Sequence, residues 1–226
     1  PDELTTEIFE HILNKALNIA RMSFTSPVIN CIHPVNQGFG YAIDVDSFNE
    51  TGVFTVTTQS FDETTTESQT FMVDNIQVSV EFSISRKLST KLNEPPITLS
   101  SSMLFEFAPT NDYRFIFRLW SVAKQFLQYL CYRRNIFLPE VALSAPADGG
   151  KYEEFATMYV LNEAGDDESS TLKSGRYIQQ KYLAGTEGKI LSDIASGMLY
   201  LRHLPQTYQS GRTIDAARFI MITAAF

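Results

Sequence analysis

Apolar residues recur at three- and four-residue steps from Asp112 to Asn135, DYRFIFRLWSVAKQFLQYLCYRRN. Ile116, Leu119, Trp120, Ala123, Phe126, Leu127, Leu130 and Cys131 share one side of a helical period. Arg114, Arg118, Ser121, Lys124, Gln125 and Gln128 share the other. The spacing predicts one long helix with a buried stripe, and the only Trp lies in the middle of that stripe. Thr110, Asn111 or Asp112 offers the short side-chain oxygen that caps free N–H groups. Arg133 and Arg134 fall where the last turn favours cations, and Asn135 followed by Ile136 reads as a left-handed stop. This helix is the expected packing centre of the chain.

The remaining elements are read against it. Leu4, Ile8, Phe9, Ile12, Leu13, Ala16, Leu17 and Ala20 predict a second amphipathic helix over 3–22, with Arg21 at its C-terminal end. Val28–Ile32, Phe39–Val45 and Val53–Thr58 read as short strands between Pro and Gly breaks, and Asp62–Gln69 as a polar loop. Ile76–Ser85 alternates strictly, Ile76, Val78, Val80, Phe82 and Ile84 against Gln77, Ser79, Glu81, Ser83 and Ser85. That is a strand with one face on a core and one face wet, as in an antiparallel sheet. Ile97–Ser100 and Met103–Phe107 continue the sheet, with a bend at the Ser100–Ser102 run. Phe137–Ser144 and Tyr152–Leu161 add two more strands, Asn162–Ser170 is an acidic loop, and Arg176–Leu183 fits strand or helix equally. From Glu187 the period returns to helical: Ile190, Leu191, Ile194, Met198, Leu199 and Leu201 predict a helix over 187–203. Thr213 then caps a last helix bearing Ile214, Ala217, Met221, Ile222 and Ala225.

The fold class that follows is α+β: an antiparallel, sandwich-like β-rich domain over residues 1–184 with a long packed central helix, then the first helices of a helical domain over 185–226. The chain begins at Pro1 rather than Met and stops at Phe226 inside an apolar helical pattern, so a longer protein is expected.

Composition narrows the function classes. Lys+Arg 18 against Asp+Glu 26 gives a net charge of −8, the reverse of the basic surplus usual in a nucleic-acid binder; a local basic patch stays open. No run of eighteen apolar residues and no basic–apolar–small leader is present, which makes the cytoplasm the default compartment. Cys131 lies on the apolar stripe and reads as a small buried hydrophobe; with nothing pointing to an oxidising compartment, pairing with Cys31 is not expected.

Chemistry-bearing patterns are sparse. His11, His33 and His203 do not combine with the two Cys into any zinc-ligand spacing. Asp44-Val45-Asp46 with Glu50, and Asp166-Asp167-Glu168, lack the glycine and terminal Glu of a calcium loop. Gly185-Thr186-Glu187-Gly188-Lys189 has the wrong spacing for a phosphate loop and reads as a turn before a helix. No catalytic, cofactor-binding or metal-ligating residue is assigned. The 17 Phe and 10 Tyr fall mostly in strand and helix patterns, where core packing accounts for them.

One stretch carries a family resemblance. Leu199-Tyr-Leu-Arg-His-Leu-Pro-Gln-Thr, Gly211-Arg-Thr-Ile-Asp-Ala-Ala-Arg-Phe-Ile and the terminal Ala224-Ala-Phe226 resemble the entry to the HEPN domain of ApeA-like bacterial anti-phage proteins. Leu104–Phe107, the long helix and Arg133-Arg-Asn-Ile resemble their N-terminal region, so the likeness spans residues 97–226. It implies a two-part device: a β-rich sensing or regulatory region before a helical ribonuclease domain that cleaves RNA and halts growth of an infected cell (abortive infection). The family's catalytic pattern, an Arg followed after four to six residues by a His, occurs at none of the three His here, and Arg202-His203 is adjacent. The resemblance therefore implies a non-catalytic region, RNA contacts only through a further C-terminal domain, a homodimer, and a phage-derived protein as trigger. Arg202, Arg212 and Arg218 are expected to position helices or form surface ion pairs. The alternatives are a β-sandwich carbohydrate- or ligand-binding module, and a hydrolase using carboxylates.

Overall fold

The computed structural model describes residues 18–42, 49–52, 55–160, 175–183, 185–207 and 210–223. The fold is mixed α+β. Its strands are β1 (Ile19–Thr25), β2 (Phe39–Ala42), β3 (Thr55–Thr58), β4 (Gln69–Val73), β5 (Ile76–Leu88), β6 (Ile97–Thr110), β7 (Glu140–Ala147) and β8 (Lys151–Tyr159). The helices are α1 (Pro27–Ile32), α2 (Phe61–Thr64), α3 (Tyr113–Cys131), α4 (Glu187–Ala195) and α5 (Ala216–Thr223). Six strands form one antiparallel sheet in the order β4-β5-β6-β1-β7-β8, and β2 pairs with β3 in a small second sheet.

Register places one apolar row across the large sheet. Val80 faces Phe105, Phe105 faces Met22, and Met22 faces Leu143. All four are buried, in one cluster with Phe115, Ile116, Leu119, Phe126 and Leu127 of α3. The central helix therefore lies across this face, and every residue of its predicted stripe is buried. Val28, Ile29 and Ile32 of α1 join the same cluster, as do Leu191 and Ile194 of α4. The layer over the sheet is thus helical. α4, which the sequence groups with a separate helical unit, packs into the core of the β-rich body.

Local signals explain where the elements depart from the expected ones. The helix predicted over 3–22 lies outside the described residues up to 17, and Ile19–Met22 is strand β1. Its period-two burial, with Met22 and Phe24 in and Arg21 and Ser23 toward solvent, outweighs the helical spacing. Val28–Ile32 is helical rather than extended. Ser26 accepts a hydrogen bond from the Ile29 N–H at 3.2 Å and Pro27 occupies the first turn, an N-cap and Pro start that local apolarity concealed. Asp62–Gln69 holds the one-turn α2 and the start of β4, which joins β5 through Asp74 and Asn75, both at positive φ (49° and 64°). The serine run bends nothing. β6 is continuous, and Ser83–Ser102 and Ser85–Ser100 pair side chains across the strands at 3.0 and 2.9 Å.

Helix ends differ too. α3 is capped by Asp112, as one of the three candidates, but it stops at Tyr132 (φ 49°), not Asn135. Arg133 and Arg134 consequently lie beyond the helix. α4 ends at Ala195, short of 203, because Gly197 takes a left-handed φ of 75° and the chain reverses. α5 is capped by Asp215, whose Oδ1 accepts the Arg218 N–H at 2.7 Å, rather than by Thr213. Residues 176–183 contain a single 3-10 turn at Gln180–Tyr182.

Candidate functional site

The left-handed Tyr132 sets the site's frame. Its own N–H bonds to Tyr129 O at 3.1 Å and that of Arg133 to Gln128 O at 3.1 Å, which turns the chain sharply off α3. The next two residues pair with a distant loop: Arg134 N–H with Pro205 O at 2.8 Å and Asn135 N–H with Gln206 O at 2.9 Å. Ile178 N–H bonds to Leu130 O at 2.9 Å, bringing a third segment to the same helix end. Leu204 is buried and anchors the 202–207 loop.

Three adjoining cavities surround this loop. The first, about 730 Å³, is lined by Tyr129, Tyr132, Arg176, Tyr177 and Arg212 among others. The second, about 290 Å³, lies against Arg134, Arg202, His203 and Arg218, with one carboxylate, Asp215. The third, about 670 Å³, shares Arg134 and Arg202 with the second and adds Gln125, Gln128 and Tyr200. In a chain of net charge −8 this is a local concentration of arginine and tyrosine.

The guanidinium of Arg218 is held in place. Its Nη1 donates to the carbonyls of Ser210, Gly211 and Thr213 at 3.2, 2.9 and 2.8 Å, while its buried Nε has no hydrogen-bond partner. The same group stands 5.9 Å from the centre of the Tyr132 ring. His203 stacks on Tyr200 (6.3 Å, 16°) and tilts against Tyr132 (5.9 Å), and its buried Nδ1 is also without a partner. Among the described residues, Arg134, Arg202 and Arg218 form no ion pair with a carboxylate. Arginine stays charged under all ordinary conditions and presents a planar donor fork, so uncompensated guanidinium groups at a concavity suit an anion.

A second polar cluster lies on the open face of the sheet and closes on itself. Arg21 donates through Nε to Glu106 Oε1 at 2.8 Å and is ion-paired to it through Nη2. Its guanidinium covers the Tyr152 ring at 4.2 Å. Burial first, then the Glu106 charge, holds the neighbouring Glu81 carboxyl above its ordinary value, with Arg21 opposing. Burial likewise raises the Tyr152 phenol. Here Arg21 is spent on Glu106 and Tyr152, and the arrangement is structural.

The other residues singled out by sequence are placed as follows. His33 is buried, its Nε2 3.0 Å from Thr64 O, and desolvation lowers its pKa. Cys131 is buried on the α3 stripe and burial pushes its thiol up to about 12; Cys31 is raised by the same cause, and both are free thiols. The Gly185–Lys189 run leads into α4, where Gly188 meets the backbone of β4 and Glu187 is buried against Gln180 (2.8 Å). His11, Asp44, Asp46 and the 166–168 acidic run lie outside the described residues. Among the described residues no group of three His, Cys, Asp or Glu could hold a metal ion, and no helix is long and apolar enough to cross a membrane.

What the sequence reading missed was convergence. Sequence spacing places Arg134 at a helix dipole and Arg202 among helix-positioning groups, and only the pairing of 134–135 with 205–206 brings them to one cavity. No family model matches the chain, and no characterised protein or solved structure matches it either.

Proposed function

We propose that this chain is the non-catalytic, regulatory region of a HEPN-type defence ribonuclease of the kind its 97–226 segment resembles. The observation that supports this most is the state of α5. Arg218 ties the helix to the turn just before it and stands 5.9 Å from the Tyr132 ring at the end of α3, yet Ile214, Phe219 and Ile220 in and before the helix are 63%, 61% and 65% exposed. A helix with that much apolar surface in water needs a partner face, and the first helix of a helical domain would find one in the helices that follow it. The β-rich body reaches this segment through the backbone pairing of 134–135 with 205–206. A shift of the body, on binding a trigger, is thereby delivered to the entry of the helical domain.

The carbohydrate-binding alternative finds less support. The sole Trp is buried on α3, and Tyr152 on the open sheet face is occupied by Arg21.

The test is an RNA-cleavage and growth-arrest assay on two proteins: residues 1–226, and the same chain continued through the natural gene. Activity in the longer protein alone supports the regulatory reading. Cleavage by 1–226 itself, or a longer protein that has no Arg and His paired on a helix, overturns it.

A further inference from the structure

We propose that the tip of the β5–β6 hairpin docks on the surface of a bilayer that carries anionic headgroups. This goes beyond the regulatory reading and does not depend on it, because it rests on residues 85–100 alone. Strand pairing sets the tip apart. β1 reaches along β6 only to the Thr25–Ser102 pair, and β4 reaches along β5 only to Gln69–Val80. From Ser85–Ser100 to Leu88–Ile97 the two strands pair, among the described strands, with each other alone. They leave the sheet as a two-stranded ribbon.

The ribbon carries the core face of the sheet out into water. Val80, Phe82 and Ile84 are buried, and the period of two continues through Arg86 to Leu88, opposite Leu99 and Ile97. Leu88 is 76% exposed, and Leu92 in the turn is fully exposed, the most of any large apolar side chain among the described residues. The turn that presents Leu92 is built, not slack. Ser89 N–H donates to Pro96 O at 3.1 Å, Glu94 N–H to Lys91 O at 3.3 Å and Lys91 N–H to Ser89 Oγ at 3.2 Å. Lys91 and Lys87 both reach Glu94, at 3.0 and 3.4 Å. Bare leucines at the end of an ordered, convex projection suit a soft apolar medium better than a preformed pocket.

Charge selects the medium. Between Phe82 and Phe105 the cations are Arg86, Lys87 and Lys91, and the one carboxylate is Glu94, in a chain of net charge −8. Two lysines share that carboxylate, and Arg86 donates to the neutral Thr58 hydroxyl at 2.8 Å, so a positive excess remains on the ribbon. Extended chain from Glu81 to Leu88 spans about 23 Å, beyond the screening length of ~8 Å in physiological salt, so the carboxylates on the open sheet face are screened from the tip. Apolar side chains flanked by lysines hold a peripheral segment at an anionic headgroup layer, the leucines at the acyl boundary and the ammonium groups among the phosphates. The contact lies on the membrane and does not span it.

Co-sedimentation of the 226-residue chain with vesicles of phosphatidylcholine alone, and of equal parts phosphatidylcholine and phosphatidylglycerol, tests this. Sedimentation with the mixed vesicles is expected, with little on phosphatidylcholine alone and a loss as salt is raised. The double substitution Lys87→Gln with Lys91→Gln is expected to weaken partition at least about tenfold, since each cation near an anionic surface is worth about fivefold. Leu88→Ser with Leu92→Ser is expected to weaken it at least about tenfold with unchanged circular dichroism, both side chains being exposed. Leu92→Trp places a fluorophore at the tip, and its emission is expected to shift to the blue on the mixed vesicles, whereas Trp120 is already buried. No sedimentation with the mixed vesicles overturns the proposal. So does equal sedimentation with both kinds of vesicle, partition that survives either double substitution, or Leu92→Trp emission that does not move. A dimer seen by sedimentation velocity without vesicles, and dissolved by the leucine substitutions, assigns the tip to a second copy and overturns it too. The regulatory reading is judged separately by the nuclease assay on the longer chain.

Discussion

Gly188 lies so close to the backbone of Thr70 that a Cβ on it would fall within 3.0 Å of the Thr70 carbonyl oxygen. The neighbour is backbone of strand β4, not the yielding end of a side chain, so helix α4 must move if anything larger than Gly is placed there. Alanine is intrinsically better than glycine in a helix by about 1 kcal/mol. The steric cost of an overfilled contact is about 1–3 kcal/mol and here has no soft direction in which to relax. Gly188→Ala is therefore expected to destabilise the protein despite its better propensity. Urea unfolding followed by Trp120 fluorescence measures this; a variant as stable as the parent would mean that α4 does not seat on β4 as described.

The single Trp joins two parts of the core. Its indole N–H donates to Leu138 O at 3.0 Å, fixing the approach to β7 against α3. Trp120→Phe keeps the aromatic packing and removes the donor, leaving the Leu138 carbonyl buried without its partner. The expected loss is about 1–3 kcal/mol, the cost of an unsatisfied buried polar group. Because the substitution removes the fluorophore, thermal unfolding by far-ultraviolet circular dichroism is the measurement. No change in melting temperature would show that the carbonyl finds another donor.

The β4–β5 hairpin turns through Asp74 and Asn75, both left-handed. Two residues at positive φ make a tight hairpin whose twist suits the strands, and glycine is the preferred second residue. Asn tolerates this conformation at some cost, so Asn75→Gly is expected to raise stability by a few tenths to about 1 kcal/mol. Denaturant midpoints of the two proteins test it. A loss of stability would show that the Asn75 side chain contributes more to the turn than its backbone strain takes away.

The same turn shows where the sequence was legible and where it was not. The α3 stripe and the β5 alternation were plain because each buries one face over ten or more residues, and burial of that extent dominates local preference. Pro27–Ile32 was not, since so short and mostly apolar a run fits strand or helix and only the Ser26 cap with Pro27 decides. β4 was hidden behind a polar run, and its pairing depends on a turn whose residues, Asp74-Asn75, are one step from the familiar Asn-Gly signal. The arginine site was illegible in principle. Arg134, Arg202 and Arg218 stand in three segments, and their meeting is fixed by the left-handed Tyr132 and the loop pairing at Pro205, neither of which has a sequence period.

Glu81 makes stability depend on pH in a direction opposite to that of most surface carboxylates. Its carboxyl lies above its ordinary 4.5 because it is half-buried on the sheet, with the Glu106 charge adding and Arg21 opposing. A group with a raised folded pKa holds its proton more tightly in the folded chain than in the unfolded one. Its stabilising effect is therefore complete below the unfolded value and is lost as pH rises through the folded value. At neutral pH the ionised Glu81 is a burden, and Glu81→Gln, which keeps the shape without the charge, is expected to be more stable than the parent there. The advantage should shrink as pH falls through the raised folded value and be gone below 4.5, where the parent residue is neutral in both states. Arg21→Gln should act the other way, since it removes the one opposing charge and drives the Glu81 carboxyl higher still. Melting temperatures of the three proteins across pH 3 to 8 decide the matter. Parallel curves for the parent and Glu81→Gln would show that the Glu81 carboxylate is solvated in the folded state, and that Arg21 serves Glu106 alone.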